Sequence, residues 1–239
     1  MQKARALLFD LDGTLLDSSR AICASASVSF ALVGVRVSEA QIEEHLGAPL
    51  EELYALFVGD GDDERQALFV AGYIEAHDEH PERHPPPLPG VREGLLSLSA
   101  RYALPMAVAT TKPSDRARVQ LEAVGLLPSF SHVQGTDVGM RPKPEPDVIH
   151  HACRTLEVDP RGVVMVGDTV RDVRAAQSAG AKAVVVAYSD EHHRRAHDHR
   201  KYSAPVTQPT HHVDGKPVHQ PAVHEQIPFM VHGRENARQ

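Results

Sequence analysis

The chain has no tryptophan and only two cysteines, and aromatic residues fill just 5% of its 239 positions. So thin an aromatic supply means that any core must be built from Ala, Val and Leu. Cys23 and Cys153 make no metal-type spacing, which excludes a zinc ribbon or finger and a disulfide-stapled scaffold and fits a reducing cytoplasm. No apolar run approaches the roughly 18–20 residues that span a bilayer, so no membrane partner is expected. The apolar stretch near the amino terminus stops at Asp10, too short and too soon charged for a signal peptide. Basic charge is also in deficit: the formal net charge is -7, which argues against a nucleic-acid partner, because such a partner needs a basic surface to neutralise its phosphates. A soluble cytoplasmic protein is expected.

What the chain does have is ordinary core material, 41% hydrophobic, distributed in short apolar runs. Ala6-Leu7-Leu8-Phe9, Met106-Ala107-Val108-Ala109, Val163-Val164-Met165-Val166 and Val184-Val185-Val186-Ala187 read as buried strands, with a weaker strand over Phe130 to Val133. Helical stretches lie between them: Asp115 to Val124 closing at Gly125, Pro146 to Leu156, and Asp172 to Ala179 closing at Gly180. Strands alternating with helices predict a doubly wound α/β fold with a parallel sheet.

One interval departs from this alternation. From Ser18 to Pro87 the pattern is helical, with a capping box at Ser38 and Gln41 and helical spacing over Glu64 to His80. It ends in Pro85-Pro86-Pro87-Leu88-Pro89-Gly90, which cannot continue a helix. The expected organisation is a core of residues 1–17 and 88–189, a helical insert over 18–87, and an extension over 190–239. That extension carries nine of the sixteen histidines without a fixed ligand spacing, so a metal-binding tail and a low-complexity tail without chemistry both fit. A short strand over Ile227 to Val231 is the one element expected in it.

Four clusters of chemistry-bearing residues stand out, three of them at the ends of apolar strands. Asp10 and Asp12, in Phe9-Asp10-Leu11-Asp12-Gly13-Thr14, follow the first. Thr110 and Thr111, then Lys112-Pro113, follow the second; Lys143 lies among prolines in Arg141-Pro142-Lys143-Pro144; and Gly167-Asp168-Thr169-Val170-Arg171-Asp172 follows the strand at 163–166. Carboxylates directly after a buried strand are costly unless paired or bound to a cation, and the carboxyl end of a parallel sheet is the usual α/β active site. Taken singly, each cluster is equally well a strand terminus, a capped turn or an exposed loop cation.

Together and in this order, the four resemble the motifs of the haloacid dehalogenase-like superfamily over residues 4–188. The resemblance implies an α/β core with an inserted helical cap, and an Mg²⁺-dependent phosphatase acting on a small phosphorylated metabolite. Asp10 is then the nucleophile that becomes phosphorylated, and Asp12 the general acid and base. Asp10, Asp168 and the Asp12 backbone carbonyl hold Mg²⁺; Thr110, Thr111 and Lys143 bind the phosphoryl group; and Asp172 orients metal-bound water. Dehalogenases of the superfamily typically lack the second aspartate, so Asp12 favours phosphate esters. Residues 18–89 contain no lysine, which removes the Schiff-base chemistry of phosphonatases. The insert resembles that of the phosphoglycolate phosphatase and β-phosphoglucomutase branch. Hydrolysis is preferred over a phosphomutase, and a catalytically idle binding module is the remaining alternative.

Overall fold

A computed structural model describes residues 3–80 and 82–187, and the backbone of 212–213 and 216–217. Five parallel strands, β1 (Ala6–Phe9), β2 (Met106–Ala109), β3 (His132–Gln134), β4 (Val163–Gly167) and β5 (Lys182–Val185), lie in the order β3-β2-β1-β4-β5. Helices α5 (Val91–Tyr102), α6 (Ser114–Ala123), α7 (Asp147–Thr155) and α8 (Val170–Ala179) belong to the same α/β unit. Side chains alternate across β1. Leu7 and Phe9 join Val108, Val166 and residues of α5 and α6 in one hydrophobic cluster, whereas Ala6 and Leu8 join Ala107, Met165 and residues of α7 and α8 in another. The expected doubly wound sheet is present.

Two local expectations change. β5 lies two residues earlier than the run at 184–187, and it is not buried: Lys182, Ala183 and Val185 are exposed. Among the described residues it has one hydrogen-bonded neighbour, β4, so an apolar run there does not signal burial on both faces. Helix α5 had no counterpart among the expected elements, although its buried Val91 and Leu95 stand four apart.

Between β1 and α5 the chain forms α1 (Ser19–Leu32), α2 (Glu39–Glu43), α3 (Leu50–Val58) and α4 (Asp63–Glu79). The capping box at α2 is present, with the Ser38 hydroxyl accepting from the Gln41 N–H and the Gln41 side chain accepting from the Ser38 N–H. These helices have their own hydrophobic cluster, including Phe30, Ile42, Leu53, Tyr54 and Phe69. The two linkers to the sheet run side by side: Asp17 N–H donates to the Pro86 carbonyl at 2.9 Å, and Leu88 N–H donates to the Leu15 carbonyl at 3.0 Å.

Cys23 and Cys153 are free, buried in separate clusters. Among the described residues no helix is long and apolar enough to cross a membrane. Beyond residue 187 the described backbone is one antiparallel hairpin, β6 (His212–Val213) with β7 (Lys216–Pro217). The strand expected over 227–231, and most of the His-rich extension, lie outside the described residues.

Candidate active site

The strand order reverses direction beside β1, with β2 and β3 on one side and β4 and β5 on the other. In such sheets the loops leaving β1 and β4 part company and open a crevice at the carboxyl ends. Asp10 and Asp168 both stand there, one residue past β1 and β4. Asp10 is held as a continuation of its strand, its N–H donating to the Val166 carbonyl at 2.8 Å.

Gly13 turns the chain immediately afterwards. Its φ is +77°, and a Cβ there would overlap the Asp168 carboxyl group, so the close approach of the two loops requires glycine. Thr14, the next residue, donates from its hydroxyl to Asp168 Oδ1 at 2.7 Å.

Lys143 lies at the centre of the buried charges, with 1% of its surface exposed. Its ammonium group is 2.8 Å from Asp10 Oδ1 and 2.5 Å from Asp172 Oδ1, and it donates to the Ala109 carbonyl at 3.2 Å. All three of its donors are thereby engaged. The backbone of Lys143 is held as well, its carbonyl accepting from Arg171 of α8 at 3.2 Å. Asp172 is fully committed: besides Lys143 it accepts the Thr169 N–H at 3.0 Å and the Thr169 hydroxyl at 2.6 Å, closing a capping box at the start of α8.

Burial, joined by the charge of Asp10, raises the Asp168 pKa to about 8. Burial likewise lifts Asp10 far above the ordinary carboxylate range, although Lys143 opposes the shift. Burial works against the charge of Lys143, yet Asp10 and Asp172 outweigh it and hold its pKa above the ordinary lysine value. The balance is three carboxyl groups against one ammonium group. Asp10, Asp168 and Asp172 each bring one oxygen within 4.8 Å of the others, and hard oxygen donors crowded in this way suit a divalent cation.

The end of β2 supplies the opposite wall. Thr110 is buried, and its hydroxyl accepts from the Lys112 N–H at 3.2 Å; Thr111 follows half-buried in the same turn. The Lys112 ammonium group lies 2.9 Å from Asp12 Oδ1. Burial disfavours the Asp12 carboxylate, but the Lys112 charge prevails and holds its pKa below the usual value.

Helices of the insert close over this end of the sheet. Gly47, in the loop before α3, stands so near Thr169 that a Cβ would lie 3.2 Å from its methyl group. Arg171 pairs with Glu52 of α3, and Arg116 of α6 pairs with Asp78 of α4. The sequence expectations named Asp10, Asp12, Thr110, Thr111, Lys143, Asp168 and Asp172, and the fold brings them all to one end of the sheet. They passed over Thr14, which stood inside the first motif and bonds Asp168.

Comparison with known proteins agrees with this geometry. A family profile described as haloacid dehalogenase-like hydrolase matches residues 7–186. The chain belongs to the haloacid dehalogenase-like hydrolase family. It is 35% identical over 208 residues to a phosphoglycolate phosphatase of Chromobacterium violaceum, covering 79% of this chain and 87% of that protein. It is also 32% identical over 191 residues to a pyrophosphatase of Bacillus velezensis, covering 79% and 85%. A crystal structure of a predicted phosphatase from Clostridium acetobutylicum superposes with a TM-score of 0.70 at 26% identity, over 78% of this chain and 86% of that one. The chain is a hydrolase of this family, and these relatives carry phosphatase names.

Proposed function

We propose that this hydrolase is a Mg²⁺-dependent phosphatase of small phosphorylated metabolites, working through a phosphoryl group carried transiently on Asp10. The observation that carries the reading is the buried Asp10–Lys143–Asp172 arrangement beside Asp168, at the crevice between β1 and β4. An anionic nucleophile reaches an anionic phosphate only where positive charge is fixed in advance. Lys143 supplies that charge. Asp172 keeps the lysine in place while its other oxygen is occupied by Thr169, so its contribution is anchoring as much as any contact with solvent.

Asp10, Asp168 and the Asp12 backbone carbonyl would hold Mg²⁺, which when bound neutralises charge on the phosphate and on the clustered carboxylates. Asp10 attacks phosphorus, forming an acyl phosphate as the leaving oxygen departs. Asp12, which Lys112 keeps ionised in the free enzyme, takes up a proton with the incoming phosphate monoester and delivers it to that oxygen, then takes one from the water that cleaves the acyl phosphate. Since the Thr110 hydroxyl accepts from Lys112 N–H, its own hydrogen is the one left to donate to a phosphate oxygen, and Thr111 lies beside it. We further propose that residues 18–87 act as a cap, moving about the paired linkers to admit substrate and to exclude bulk water during reaction.

Hydrolysis is favoured over a phosphomutase by the charge of the insert. Residues 18–87 hold no lysine and more acidic than basic residues, which disfavours a second phosphate, and Arg65 donates to the Val33 carbonyl instead. Phosphoglycolate and pyrophosphate head the substrate panel because of the relatives' names. Phosphate release should require Mg²⁺, stop on chelation, and vanish in Asp10→Asn with the fold retained by circular dichroism. Release that persists in Asp10→Asn would overturn the proposed nucleophile; isomerisation of a sugar phosphate without release would favour the mutase.

A further inference from the structure

The Asp12–Lys112 pair is not an isolated contact. The Lys112 ammonium group makes a second bond, to Gln120 Oε1 at 2.7 Å, and Gln120 Nε2 donates to the Arg83 carbonyl at 2.9 Å. Because an ammonium group can only donate, Oε1 must face Lys112 and the amide NH₂ must face Arg83, so the orientation of this amide is settled by its neighbours. Gln120 is 3% exposed, and the Lys112 side chain 10%.

This chain of bonds joins the site to the insert. Asp12 and Lys112 stand on loops of the sheet, Gln120 on α6, and Arg83 in the linker that leads from α4 back to the paired segment at Pro86. One turn earlier on α6, Arg116 pairs with Asp78 of α4, so a single face of α6 makes both contacts. A lysine on a flexible four-carbon stem fixes a carboxylate only if its own head is fixed. Gln120 does this, and its other end is satisfied only while the outgoing linker sits where it does.

We propose that Gln120 is a positioning residue for Asp12, a latch that aligns the acid through Lys112 only when the helical insert is seated on the sheet. The inference rests on the phosphatase reading and deepens it. Seating the insert supplies the acceptor for the Gln120 amide, the amide holds Lys112, and Lys112 sets the Asp12 carboxyl group toward the leaving oxygen. An unseated insert leaves the Gln120 amide to water and the acid unaligned, which keeps the acid out of use in the open enzyme.

The test separates positioning from stability by the leaving group. A nitrophenolate departs without a proton, whereas an alkoxide needs one, and kcat/KM reports only steps up to the first irreversible one. For Gln120→Leu, kcat/KM on an alkyl phosphate should fall roughly 10–100-fold while that on nitrophenyl phosphate falls less than about 3-fold. Gln120→Glu keeps an acceptor for Lys112 and removes the donor to Arg83. It should show the same selective loss at smaller size, and it serves if the leucine variant folds poorly. Asp12→Asn sets the full extent of the selective loss. Equal losses on both substrates, or no loss on either, would overturn the latch. If nitrophenyl phosphate turnover survives Asp10→Asn, the nucleophile assignment fails first, and the latch falls with it.

Discussion

Lys143 shows how much a single side chain can carry in this site. Its ammonium group is buried against Asp10 and Asp172, and removing it strands two carboxyl groups away from water. Breaking a buried ion pair by deleting one partner costs about 3–5 kcal/mol, far more than deleting an exposed one. Lys143→Met should therefore lower the unfolding free energy of the metal-free protein by about that much in urea denaturation, as well as abolishing turnover. A loss below about 1 kcal/mol would mean that the cluster protonates and relaxes without strain. Asp10, Asp12 and Asp168 stand at or near the ends of apolar runs, a local sign of a strand terminus that became a sign of chemistry only with the other motifs in order. Lys143 was legible only through the family motif, since a lysine among prolines has no local sign that it will be buried. Gln120 was not legible, because its partners, Lys112 and the Arg83 carbonyl, are brought to it by the packing of α6.

At the scale of elements, the insert depends on its own small core. Phe30 of α1 is fully buried and meets Phe57 of α3 with ring centroids 5.3 Å apart and Phe69 of α4 at 4.5 Å, a concentration of aromatics in a chain that has few. Truncating such a ring costs about 3–5 kcal/mol. In Phe30→Ala, amide exchange should accelerate in α1 and α4 well before it does in β1 and β4, whose side chains belong to other clusters. Uniform acceleration across the sheet would show that insert and sheet unfold as one cooperative unit. Helix ends were read closely from sequence where caps are local, as at Ser38 and Gly180. The position and exposure of β5 were not, because they depend on its pairing, which among the described residues is with β4 alone.

For the whole molecule, the buried charges predict an unusual pH response. The raised pKa values of Asp168, about 8, and of Asp10 mean that the folded chain resists losing protons that the unfolded chain releases near the ordinary carboxylate pKa of 3.8. Their stabilising contribution is present below that ordinary value and is lost as pH rises toward 8. His77, buried in α4 with its pKa lowered by burial to about 4, acts in the opposite sense: its contribution is intact above 6.5 and is lost as pH falls toward 4. With chelator present, the melting temperature should fall between about pH 7 and about pH 8, where His77 is neutral in both the folded and the unfolded chain. Mg²⁺ should restore it, and by more at about pH 8, because the ion binds the deprotonated carboxylates. A melting temperature that rises with pH in chelator, or an ion effect larger at the lower pH, would contradict the proposed ligand cluster.

The sequence by itself determined the alternation of strand and helix, the run of helices between the first two strands, and the order of the four acidic, hydroxyl and basic clusters. These are properties of local runs: apolar stretches, caps, prolines and the residues that follow a strand. Tertiary structure alone decided that β4 lies beside β1, so that Asp168 meets Asp10 across more than 150 residues of chain, as its bond to Thr14 at a separation of 154 illustrates. It also decided that Asp172 would hold Lys143 and that an amide on α6 would join Asp12 to the linker of the insert. Such contacts depend on register, crossover and packing, which bring together residues that have no neighbourhood in the sequence.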